Sequence, residues 1–168
     1  MDKLLRGADG DPLPDGEWVK RACKKKLMTL DGDISEKHFE PSSEDKKDSK
    51  NRLTVWAARI TDDDHVLTLS NNNMTDSIIA RLNVDAIRAV RPDPENDAVA
   101  SLEVEWHHDE RPDAQGHAGI RDLIQVGIAT KAQKRSLWLQ LAMLAEANRT
   151  DRPKVGQQAD GSPPAAGG

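Results

Sequence analysis

Residues 100–106, ASLEVEW, alternate without a break: Leu102, Val104 and Trp106 face one way, and Ser101, Glu103 and Glu105 the other. Successive side chains of a strand point to opposite faces, so this pattern describes a strand with one buried side. A sheet built from such strands needs a second layer over its apolar face. LTVWAARI (53–60) is apolar on both faces, the pattern of a strand covered on both sides. HVLTLS (65–70) and GIRDLIQVGIA (119–129) read as further strands. Thr130 to Gln133 spells the capping box Thr-x-x-Gln ahead of a helix reaching about Asn148. The pattern predicts an α+β fold: a small mixed or antiparallel sheet with helices packed on one face and a closing C-terminal helix.

Two segments admit two readings. From Asp15, an N-cap, the apolar residues Trp18, Val19, Ala22, Cys23, Leu27 and Leu30 fall within one half of a helical wheel. Lys26 then sits in the middle of that half, and a basic strand is the competing reading. DSIIARLNVDAIRAV (76–90) is either one helix or a strand followed by a helix from Asp85. Asp31-Gly32-Asp33 forms a turn, and Ser35 can cap a short helical turn through Phe39. Asn71-Asn72-Asn73 breaks the chain, and the two prolines of RPDPEND (91–97) exclude helix and strand alike.

The apolar residues cluster between about Arg52 and Asn148, which places the core there. Aromatic residues are scarce, so the core is expected to be Leu, Val, Ile and Ala around Trp18, Trp56, Trp106 and Trp138. This gives a loose leader over 1–14, a single domain over 15–152 with a mobile loop at 40–51, and a Gly- and Pro-rich disordered tail over 153–168. A net charge of −5 argues against unaided nucleic-acid binding. The charge is uneven, because residues 91–113 carry eight carboxylates against two arginines, whereas residues 20–26 hold five basic residues in seven. A single cysteine fits a reducing compartment. With neither a signal-peptide pattern nor a run of about 20 apolar residues, a soluble cytoplasmic protein without membrane contact is expected.

No phosphate-binding glycine motif and no Gly-x-Ser-x-Gly occurs, and no cofactor is implied. Cys23 falls on the apolar side of its segment and reads as a buried small side chain. The histidine loop after residue 106 gathers His107, His108 and His117 with Asp109, Glu110 and Asp113. Adjacent His107 and His108 at a strand end point to opposite faces, so they are poorly placed to share an ion, and no metal is expected. His117, in Gln-Gly-His-Ala-Gly-Ile, is the one candidate catalytic residue: beside Asp109 or Asp122 it could serve as a general base. The closing helix carries a core stripe of Leu137, Trp138, Leu141, Leu144 and Ala145, and a second apolar stripe of Leu139, Met143 and Ala147 on roughly the opposite side. Such a helix is either buried between layers or docked on a partner.

Arg21, the DGDIS turn, Phe39 with Pro41, Leu53 to Val55, and His117-Ala118 occur in that order. The arrangement resembles a group of small uncharacterised bacterial proteins with an Arg … DG … FxP … LSV … HA pattern, although Thr54 replaces the usual serine. The resemblance implies that Phe39, Leu53, Val55 and His117 belong to one compact domain, and it carries no activity. The expected function is a non-catalytic adaptor binding a protein partner, or a second copy, through the C-terminal helix. The alternative is a small hydrolase or transferase using His117 as acid/base.

Overall fold

The computed structural model describes residues 5–41, 45, 52–73, 75–92, 101–109, 111–123 and 131–150. Strands β1 (Trp18–Lys24), β2 (Leu53–Ala57), β3 (Ser77–Asn83), β4 (Leu102–Trp106) and β5 (His117–Asp122) form one antiparallel sheet in the order β3-β1-β2-β5-β4. Helices α1 (Asp63–Leu69), α2 (Val84–Arg88) and α3 (Lys131–Ala147) complete the α+β architecture. The main core lies on one face of the sheet. There Val19, Cys23, Leu53, Val55, Leu82, Val104, Trp106 and Ile120 meet Val84 and Ile87 of α2 and Leu137, Leu141 and Ala145 of α3. A smaller cluster on the other face joins Trp56 to Val66 of α1 and to Ala114.

The segment from Asp15 is a strand, not a helix. Two of its cationic side chains are neutralised by groups remote in sequence: Lys20 meets Asp63, and Arg21 faces Asp45 while donating to the Thr54 and His38 carbonyls. The misplaced Lys26 falls in a 3₁₀ turn, Lys25–Leu27, beyond the strand. Strand alternation also turns Trp18 away from the core beside buried Val19, leaving it 39% exposed. The other three tryptophans are buried or packed on the core, as expected. Of residues 65–70, expected as a strand, 65–69 lie in α1 and Ser70 is its C-cap. Asp62 caps its first turn by accepting from His65 N, and Asp63 and Asp64 follow on the side favoured by the helix dipole. Asn71, at φ 55°, ends that helix: Asn72 N donates to Leu67 O and Asn71 N to Thr68 O. An Asn tolerates this left-handed position better than most residues. Residues 76–90 follow the second reading, strand then helix, with the helix starting one residue early because Asn83 supplies the cap.

Residues 10–13 of the expected leader lie along β4, with backbone hydrogen bonds Gly10 N to Trp106 O, Trp106 N to Asp11 O and Leu13 N to Val104 O. Leu13 is buried in the main core, so the domain begins before Asp15. The capping Thr130, most of the 40–51 loop, residues 93–97 and the 153–168 tail lie outside the described residues.

Candidate site: a ring stack at a split in the sheet

One cross-strand row organises the face opposite the main core. Arg81 pairs with Lys20, Lys20 with Trp56, and Trp56 with His117, and His107 N bonds His117 O. The aromatic members stack: the His117 ring lies 4.7 Å from Trp56 and 4.3 Å from His107, centroid to centroid. Directly opposed side chains on neighbouring strands are close enough to do this. The small residues around His117 serve the protein's own packing. A side chain on Gly116 would strike Thr61 Oγ1 at 2.0 Å, and one on Gly119 would strike Arg52 Cβ at 2.5 Å. Arg52 lies across Gly119 and meets Glu105, both only 3% exposed, at 3.3 Å.

His117 is 5% exposed. Its Nδ1 is 3.1 Å from Asp109 Oδ2, but the oxygen sits off the axis of a good hydrogen bond, and Nε2 has no partner among the described residues. Burial, reinforced by the His107 ring and opposed by Asp109, lowers the His117 pKa to about 4. The ring is therefore neutral at pH 7, and the neighbouring carboxylate favours the proton on Nδ1. Asp109 is ionised: hydrogen bonds from the Arg111 side chain bring its pKa to about 2. Arg111 also donates to Leu69 O at the end of α1 and lies over the Trp56 ring at 5.6 Å. That one arginine ties the histidine loop to α1 and to the ring stack.

These groups head a cleft of about 800 Å³. It opens where β1 and β2 part. They pair only at Val19–Ala57 and Lys20–Trp56, and the Arg21 guanidinium fills the wedge beyond. The walls are the end of α1 (Leu69 to Asn72) and the segment from Lys37 to Glu40.

The other residues singled out in the sequence are dispersed. His108 leaves the stack: its Nε2 contacts Gly7 O and its N–H donates to Asp9. Asp113 accepts from His65 through its carbonyl, and Asp122 pairs with Lys134 of α3, so of the two carboxylates considered for His117 the partner is Asp109. No group of three His, Cys, Asp or Glu among the described residues is placed to hold a metal. Cys23 is buried in the main core, and burial pushes its thiol up to about 12. Leu139, Met143 and Ala147 lie exposed on the outer side of α3. Trp56 and Arg111 are the members of the site that sequence reasoning missed. Trp56 was visible only as an apolar strand residue, and Arg111 only as one charge in a charged loop. No helix among the described residues is long and apolar enough to cross a membrane. Compared with known proteins, the chain matches no family model, no curated protein and no solved structure.

Proposed function

We propose that this chain is a non-catalytic interaction domain, an adaptor of a bacterial cytoplasmic system, that docks a protein partner on the outer stripe of α3. The observation that carries the reading is the division of that helix. Leu137, Leu141, Ala142 and Ala145 anchor it in the core, while Leu139 is 50% and Met143 63% exposed, with Ala147 continuing the same side. The stripe runs about 12 Å along the helix axis. Helix-in-groove recognition uses anchors at this spacing. Helix α3 is also held rigidly for presentation: Glu146 accepts from Ile34 N, Arg135 pairs with Glu36, and Gln140 donates to Arg91 O.

The second reading, a small hydrolase or transferase using His117 as acid/base, draws on the His117–Asp109 pair in the cleft. Two features weigh against it. Both ring faces are covered by Trp56 and His107, and a pKa of about 4 is far from the neutral value that suits proton transfer at pH 7. The test is the double variant Leu139→Glu with Met143→Glu. It should leave the stability of the isolated protein within about 0.5 kcal/mol of wild type, since both side chains already face solvent. It should abolish partner binding, because an unpaired carboxylate at an interface centre is costly. Full retention of partners by the folded variant would refute the adaptor. Loss of a measured activity in His117→Ala, with the fold intact, would establish the enzyme.

A further inference from the structure

The sheet has two edges, and the chain itself covers one of them. Residues 10–13 hydrogen-bond along the outer side of β4, whereas the outer side of β3 has no strand beside it among the described residues. The register fixes which groups that edge presents. β1 and β3 pair without a bulge from Trp18–Asn83 to Lys24–Ser77, and the flanking bonds Lys25 N to Asp76 O and Val84 N to Glu17 O set the phase. In an antiparallel pair, hydrogen-bonded and non-hydrogen-bonded positions alternate. The N–H and C=O groups of Ile78, Ala80 and Leu82 therefore point at β1. Those of Ile79 and Arg81 point outward, where no described residue meets them.

Native sheets commonly blunt an exposed edge with lysine, proline, a bulge or an overlying segment. Among the described residues β3, SIIARLN, has none of these. Its one charged side chain, Arg81, is held at 2.7 Å by Asp63 of α1. Apolar surface borders the edge on both faces, since half-buried Ile78 packs on the main core and half-buried Ile79 on the Trp56 cluster. The edge is also self-complementary. With a two-fold axis at Ala80, Ile79 of one chain forms a hydrogen-bonded pair with Arg81 of the other, and every outward backbone group of those two residues is used. Ala80 then lies opposite Ala80, and Ile78 opposite Leu82, apolar against apolar on the core side. An axis at Arg81 would set two arginines directly opposite each other, which is destabilising. An axis at Ile79 would call on Ser77 N, which already donates to Asn73 O.

We propose that the outer edge of β3 is a homodimer interface, at which two copies of the chain pair antiparallel about Ala80 and join their five-stranded sheets into one. The occupant is a second copy because the register that keeps the arginines apart is also the one that uses the outward groups of both Ile79 and Arg81. The interface is separate from the outer stripe of α3 and stands whether or not a partner docks there.

Sedimentation velocity of the full chain at about 100 µM should give twice the monomer mass, with dissociation on dilution as mass action requires. Amide hydrogen exchange, read residue by residue, locates the interface: the Ile79 and Arg81 amides should exchange at least about 100-fold more slowly in the dimer than in the diluted monomer. Ile79→Pro removes an outward N–H and no bond to β1, and should give a folded monomer by circular dichroism and sedimentation. The double variant Leu139→Glu with Met143→Glu should stay dimeric. A wild-type monomer at the higher concentration overturns the proposal, as does a dimer in which Ile79 and Arg81 exchange like unprotected amides. A folded Ile79→Pro chain that remains dimeric overturns it too, and so does loss of the dimer in the α3 variant. Should Ile79→Pro fail to fold, the exchange comparison on the wild-type chain decides alone.

Discussion

Replacing His117 by Phe keeps a flat ring between Trp56 and His107 and removes the only titrating nitrogen atoms at the centre of the stack. The folded-state pKa of His117 is about 4, against an ordinary 6.5 in the unfolded chain. The unfolded state therefore binds the extra proton first as pH falls, and stability is lost on acidification. The loss starts near pH 6.5 and is complete below pH 4. The gap between 6.5 and about 4, at about 1.36 kcal/mol for each step of one in pKa, gives about 3 kcal/mol, most of it reached by about pH 4.5. Asp109, with its pKa lowered to about 2, acts in a different window: its contribution is present above pH 3.8 and is lost below it. Urea unfolding of wild type and of His117→Phe at a series of pH values from 7 to 4.5 isolates the histidine, because other groups contribute equally to both proteins. The stability difference between wild type and variant should shift by about 2–3 kcal/mol across the series, with wild type losing more. A difference that stays constant with pH would refute the buried, neutral His117 on which the site description rests.

Four further substitutions probe the framework. Trp56→Ala and Trp106→Ala should each cost about 3–5 kcal/mol in chemical denaturation, since each empties a large buried volume on one face of the sheet. Arg52→Met should destabilise by about 3–5 kcal/mol, leaving Glu105 buried without its nearest cation, and restoring neutrality with Glu105→Gln in the same chain should recover part of the loss. Gly116→Ala places a methyl group against Thr61 and Ile60 and should lower stability by about 1–3 kcal/mol, read from the denaturation midpoint.

The strands most legible in the sequence were those whose neighbours are also apolar. ASLEVEW alternates because one face meets the core, and β4 covers its last five residues. β1 was ambiguous for a physical reason. It is an interior strand carrying Lys20 and Arg21, whose charges are matched by Asp63 and Asp45, and nothing local signals partners so distant. α1 was misread because a six-residue apolar alternation fits period 2 and period 3.6 about equally well, and the Asp62 cap decided between them. His117 and its carboxylate Asp109 were visible as chemistry. The stack was not, because it depends on the β2–β5 and β4–β5 registers, which no local pattern encodes. The two-sided character of α3 was legible from helical spacing alone, and the exposure of Leu139 and Met143 follows it.

The most direct test of the adaptor reading is photo-crosslinking inside cells from a benzophenone side chain placed at Met143, with the same group at exposed Lys37 on the cleft rim as control. The reading predicts one dominant adduct from position 143, either to a partner protein or to a second copy at twice the mass of the chain, that is lost when Leu139→Glu is added and is not formed from position 37. An unreacted monomer from position 143, or the same adducts from both positions, would contradict docking on the outer stripe of α3.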